Sequence, residues 1–137
     1  MKTTFDIDKK IWNRFSGSAL AAAISGDIYK MRRPAGSNLE DIVINNLGLP
    51  NQDLQRGIWN VNIFVPNLEV ESGSVNDDSI PDTARLEELA RLGVDLFDDV
   101  QDGDVYYSVQ QQQTIFDSET KEHFVNIRID VITENVK

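Results

Sequence analysis

Apolar and polar positions recur at helical spacing along two stretches of this chain and alternate along several others. Over residues 5–15, Phe5, Ile11, Trp12 and Phe15 fall near helical spacing, with Lys9, Lys10, Asn13 and Arg14 between them. Ser16-Gly17-Ser18 breaks that run. Ser18 is placed to cap a second, short helix from Ala19 to Ile24, with Gly26 just past its end. The two pieces are expected to bury Trp12, Phe15, Leu20 and Ile24 together. A clearer stripe follows at Leu86, Leu89, Gly93, Leu96 and Phe97, with Glu87, Glu88, Arg91 and Asp95 outside it. Ser79, with Asp82 three residues on, resembles a capping box in which Asp replaces the usual Glu or Gln. The helix is expected to cover Thr83–Phe97 and to end near Asp98.

Strands are predicted at Ile28–Arg32, Asp41–Leu47 and Gly57–Val65. In the last of these Trp59, Val61, Ile63 and Val65 alternate with Asn60 and Asn62, the signature of a half-buried strand that Pro66 stops. Arg33-Pro34-Ala35-Gly36-Ser37-Asn38 is rich in turn residues. Residues 67–79 read as a long polar loop. The last quarter reads as a long antiparallel hairpin, 104–116 against 122–133, turning at Asp117-Ser118-Glu119-Thr120. Its second arm puts Val125, Ile127, Ile129 and Val131 on one face. The expected architecture is α+β: one domain over residues 1–137, a mainly antiparallel sheet of about five strands, and helices packed on one face.

Composition narrows the class. The 137 residues are 40% hydrophobic, enough for one domain with a single core and too many for a disordered chain. No run approaches the length needed to span a bilayer. The opening Met1-Lys2-Thr3-Thr4-Phe5-Asp6-Ile7-Asp8 lacks an apolar stretch and a cleavage site, so no signal peptide is expected and cytoplasmic synthesis is the default. Cysteine is absent, which excludes disulfides and thiolate metal sites. The net charge of −10 is concentrated: Asn67–Asp104 holds twelve acids against Arg85 and Arg91, and the remainder is balanced. A surface built from that segment repels phosphates and favours basic partners, or serves as a solvated face.

The search for chemistry finds little. His123 is the single histidine, and no nucleophile elbow accompanies it. Asp98-Asp99-Val100-Gln101-Asp102-Gly103-Asp104 places Val100 and Val109 where a calcium loop needs oxygen donors, so it reads as a turn. Arg33-Pro34-Ala35-Gly36-Ser37 lacks the spacing and Gly-Lys pair of a phosphate loop. Lys30, Arg32 and Arg33 suit phosphates or a partner's acidic surface, or a solvated loop. Gln110, Gln111, Gln112 and Gln113 suit side-chain hydrogen bonds across a subunit boundary, or simply the polar part of a hairpin. Trp12 and Trp59 are expected in the core. No catalytic residue, cofactor or metal ligand is predicted.

The order of elements resembles the tail terminator, or tail-completion, proteins of tailed bacteriophages. The matching pieces are the two N-terminal helices, Gly26-Asp27-Ile28-Tyr29, Arg33-Pro34, Asp41-Ile42-Val43-Ile44, Gly57–Val65, the helix Thr83–Phe97 and the hairpin 104–133. The acidic 67–104 segment departs from that pattern. The resemblance implies a prophage-derived structural protein rather than an enzyme. It implies a homo-oligomeric ring, six copies being one candidate order, that caps the tail tube and meets the head connector. Its partners would be itself, the tail-tube protein and the head-connector protein, with DNA passing transiently through the lumen and no membrane. The protein would be cytoplasmic before assembly and in the virion tail afterwards. Two other classes compete: an acidic binding or inhibitor module that mimics nucleic-acid charge, and a metal-dependent enzyme built on Asp77, Asp78, Asp98, Asp99 and Asp102.

Overall fold

A computed structural model describes residues 1–135. Helix α1 (Thr4–Phe15) starts at a capping box the hydrophobic pattern does not reveal. Thr3 Oγ1 accepts from the Asp6 amide at 3.2 Å, and Asp6 Oδ2 accepts from the Thr3 amide at 2.8 Å. These bonds hold the Asp6 carboxyl below its ordinary range. Helix α2 (Ala19–Ala23) begins as expected, with Ser18 Oγ accepting from the Ala21 amide. Helix α3 (Thr83–Phe97) matches the predicted span, but its cap is Asp82 rather than Ser79. Pro81 explains the shift. It bars the preceding Ile80 from helical geometry, so a helix capped at Ser79 cannot form. Ser79 instead bonds Asp77 through its amide and hydroxyl.

The strands are β1 (Ile28–Lys30), β2 (Ile42–Asn46), β3 (Leu54–Pro66), β4 (Leu68–Ser72), β5 (Val75–Ile80), β6 (Val100–Asp102), β7 (Val105–Asp117) and β8 (Glu122–Glu134). Six of them form one sheet in the order β1-β2-β3-β8-β7-β6, and β4 pairs with β5 alone. The sheet is mixed, because β1 runs parallel to β2 while the other pairs are antiparallel. The expected count of about five strands is corrected to six, and the mainly antiparallel sheet includes one parallel pair. β1 stops short of Arg32 because Met31 adopts a left-handed φ of 70° and turns the chain. The presumed loop 67–79 is the β4–β5 hairpin, turning at Gly73 with φ 64°. The presumed turn at Asp98–Asp104 contains β6, which folds back on β7 around Gly103. The long C-terminal hairpin falls within a residue of its expected bounds, with a bulge between Val109 and Gln111.

One face of the sheet carries the core. Trp59, Val61, Ile63, Ile127, Ile129 and Val131 are fully buried against Ile7, Ile11 and Phe15 of α1 and Leu89 and Phe97 of α3. Each such side chain contributes about 1.5–3 kcal/mol by leaving water. Phe15, Phe97 and Tyr107 meet edge-on at 5.4 and 5.5 Å. Gly93 lets α3 approach the sheet, since a Cβ there would lie 2.6 Å from Ile127 Cδ1. Trp59 Nε1 donates to the buried Asp8 Oδ1 at 2.7 Å.

Two core expectations need correction. Trp12 is 41% exposed, because α1 buries the narrow seam Ile7–Ile11–Phe15 and Trp12 falls at its margin. Its Nε1 donates to the Ile28 carbonyl at 3.3 Å, and Lys30 Nζ lies 5.6 Å over its ring. Ile24 is half-buried at the edge of the core rather than within it, whereas Leu96 packs against the core as expected. The other face of the sheet carries a polar network beside the Phe64–Phe124 pair. Asn126 donates to Asn60 and Asn62, Asn60 donates to Asn45, and Arg56 forms a two-point pair with Asp130.

Candidate assembly surface

The sheet presents two unlike ends. At the β1 end, Lys30 and Arg32 are exposed. Arg33 is not equivalent to them. Only 11% of its side chain is exposed, and its guanidinium pairs with Asp41 at 3.3 Å and with both oxygens of Glu122, while stacking 3.9 Å over Phe64. Asp41 and Glu122 are themselves buried. Asp41 also accepts from the Ser37 hydroxyl and the Asp27 amide. Gly26 permits this packing, since a Cβ there would overlap Asp41 Oδ1 at 2.0 Å. Arg33 therefore straps the 31–41 segment to the sheet, and two of the three predicted cations remain at the surface. Sequence alone groups Arg32 with Arg33; only the fold separates them.

At the other end lie the four glutamines. β6 covers β7 from Val105 to Tyr107, and the Val109 amide then donates to Asp98 Oδ1 at 3.1 Å. From Gln110 to Asp117 the outer edge of β7 has no strand neighbour among the described residues. Gln110–Gln113 are exposed along it. Between this edge and α3 runs a groove of about 440 Å³, lined by Pro81, Leu86, Ala90, Thr114 and Val125. It continues as a smaller hollow of about 210 Å³ past Arg91, Val94 and Gln112, bordered by Glu87 and Asp95. His123 lines the groove with Nδ1 2.6 Å from Asn67 Oδ1 and its ring 4.9 Å from Phe116.

The acidic segment divides into fold-building and free carboxylates. Asp99 accepts from the Tyr106 hydroxyl at 2.6 Å, which raises the Tyr106 pKa. Asp102 accepts from Tyr107, whose hydroxyl is pushed up chiefly by burial. Asp104 bonds Lys2 at 2.7 Å and Lys10 at 3.3 Å, which hold its carboxyl below the ordinary range. Glu69 and Glu71 stand exposed on the β4–β5 hairpin. Asp77 and Asp78 precede α3 and Asp98, Asp99 and Asp102 follow it. Among the described residues no cluster of three or more His, Cys, Asp or Glu side chains is arranged to hold a metal. No helix of the described residues is long and apolar enough to cross a membrane.

No protein-family model matches the chain, and no curated protein matches it. The functional reading therefore rests on the residues and their geometry. The larger of the two elements that sequence reasoning missed, beside the short β6, is the β4–β5 hairpin. Its signal was the alternation of Leu68 and Val70 with Glu69 and Glu71 ahead of Ser72-Gly73-Ser74, hidden by the acidic residues that disfavour strands.

Proposed function

We propose that this chain is a non-catalytic structural protein that closes head-to-tail into a ring, in the manner of a phage tail terminator. The observation that carries the proposal is the difference between the two ends of one open sheet. Lys30 and Arg32 stand at the β1 end, while Glu87 and Asp95 border the groove beside β7 at the other. Unlike, complementary surfaces at opposite ends of a subunit give a heterologous contact, and such a contact makes a ring when the rotation between copies closes. The element order that resembles tail terminators supports the same reading. In that role the ring caps the tail tube, faces the head connector, lets DNA through its lumen, and passes from cytoplasm to virion.

The exposed acids of the β4–β5 hairpin favour a second reading, an acidic module that binds a basic protein. Addition of the protein to polymerising tail tubes separates the two. A terminator binds tube ends and fixes tube length at substoichiometric amounts. An acidic binder leaves tube length unchanged.

A further inference from the structure

The core sheet stops where another strand would fit. β6 runs beside β7 for three residues only, and beyond them the open edge of β7 adjoins the groove that α3 forms with one face of β7 and β8. Edge strands are normally protected from pairing by charges or proline. Val105–Phe116 carries neither: its twelve residues are uncharged and contain no proline. Gln112 and Thr114 pair with Ile127 and Val125, so they share the groove side of the sheet. Phe116, on the same side, is 46% exposed. Bulges also guard edges, and the one between Val109 and Gln111 protects the start of this one; beyond it, from Gln111 to Phe116, an open edge beside an apolar groove is a template for strand addition.

A donor exists in the same chain. Every residue from Leu68 to Asp77 is exposed, and a two-stranded hairpin alone is marginally stable in water. The pairing irregularity between Leu68 and Val70 puts the extra residue on β5, Leu68 facing Ile80 and Val70 facing Asp77, so β4 keeps its alternation with Leu68 and Val70 on one side and Glu69 and Glu71 on the other. The hairpin is rooted beside the β7–β8 turn, where the Asn67 amide donates to the Lys121 carbonyl. Its own groove nonetheless stays open.

We propose that the β4–β5 hairpin of one copy adds as a strand to the Gln111–Phe116 edge of the next copy. Leu68 and Val70 enter the groove under α3. Glu69 and Glu71 lie on the opposite face, where Arg128 stands across from Gln111 with a buried Nε that lacks a hydrogen-bond partner. Donor and acceptor are different surfaces, so the exchange propagates head-to-tail. The inference rests on the ring reading and adds a strand contact in the larger groove to the charged contact between the Lys30–Arg32 end and the Glu87 and Asp95 border of the smaller hollow.

The test uses the full chain, which has no cysteine. One copy carries Leu68→Cys or Val70→Cys, and another carries Gln112→Cys, Thr114→Cys or Phe116→Cys. Cross-strand neighbours lie about 4.5–5.5 Å apart at Cβ, close enough for oxidation to join them. One register is expected to give a disulfide-linked pair between copies, and Glu71→Cys paired with the same partners to give none. Thr114→Lys and Val70→Asp are each expected to weaken self-association at least tenfold without moving the melting temperature. If the unaltered chain assembles, no pair cross-links, and both variants assemble equally well, strand exchange is wrong while the ring stands. In a chain that carries both cysteines of the cross-linking pair, a disulfide confined within single monomers also overturns the exchange. An unaltered chain that stays monomeric and does not cross-link overturns the ring reading as well.

Discussion

Replacing Arg33 by methionine tests whether the basic loop is structural at its centre. The side chain is 11% exposed and is the cationic partner of two carboxylates, Asp41 at 0% and Glu122 at 2% exposure. Methionine keeps much of the stem's contact with Phe64 but leaves two buried charges without their cation. Removing one partner of a buried ion pair costs about 3–5 kcal/mol. Asp41 keeps its bonds from Ser37 and Asp27, so most of the loss falls on Glu122, and the lower part of that range is expected. Urea unfolding followed by tryptophan fluorescence measures it. The double variant Arg33→Met, Glu122→Leu should recover at least 1 kcal/mol of the loss, because an apolar replacement of both partners removes the stranded charge. Arg32→Met, at an exposed position, should change stability by less than about 0.5 kcal/mol. A loss below about 1 kcal/mol for Arg33→Met, the range of a surface ion pair, would show that the strap carries no weight.

Leu89 is fully buried between α3 and the sheet, so Leu89→Ala should cost about 2–5 kcal/mol in the same melts. Glu40 accepts from Arg85 at 2.6 and 2.8 Å, and this holds its carboxyl below the ordinary 4.5. A carboxyl lowered by folding adds stability above its ordinary value, and that stability fades as pH falls through the folded value. Melting temperatures should therefore drop below pH 4.5 less steeply in Arg85→Met than in the unaltered chain. Trp12→Phe should leave a single blue-shifted, poorly quenched emission from the buried Trp59, whereas Trp59→Phe should leave a red-shifted, iodide-quenched one. Lys30→Glu with Arg32→Glu should weaken self-association without unfolding the monomer, read by sedimentation and circular dichroism.

Much of the fold was legible because it obeys strong periodicities. Trp59, Val61 and Ile63 and the facing Ile127 and Ile129 mark the central strands, and Leu86, Leu89 and Phe97 mark α3. What stayed hidden depended on pairing across sequence distance. β1 lies parallel to β2 through a turn that no local spacing encodes. β6 is three residues long, too short to establish a period. Trp12 sits near the margin of a stripe whose centre is Ile7 and Ile11, and only the helix's seat on the sheet decides which is buried. The site was half legible. The glutamines and cations were singled out by type, but the withdrawal of Arg33 into the ion pair and the groove beside β7 arise only from tertiary packing.

The central claim is self-association into a closed ring. Multi-angle light scattering of the unaltered full chain, across protein concentration and salt, tests it most directly. The expected result is a mass that rises with concentration and stops at one fixed multiple of the 15.5 kDa chain. It should fall as salt rises, since exposed charges are screened beyond about 10 Å at 0.1 M. A monomer mass persisting to millimolar protein at low salt would contradict the account.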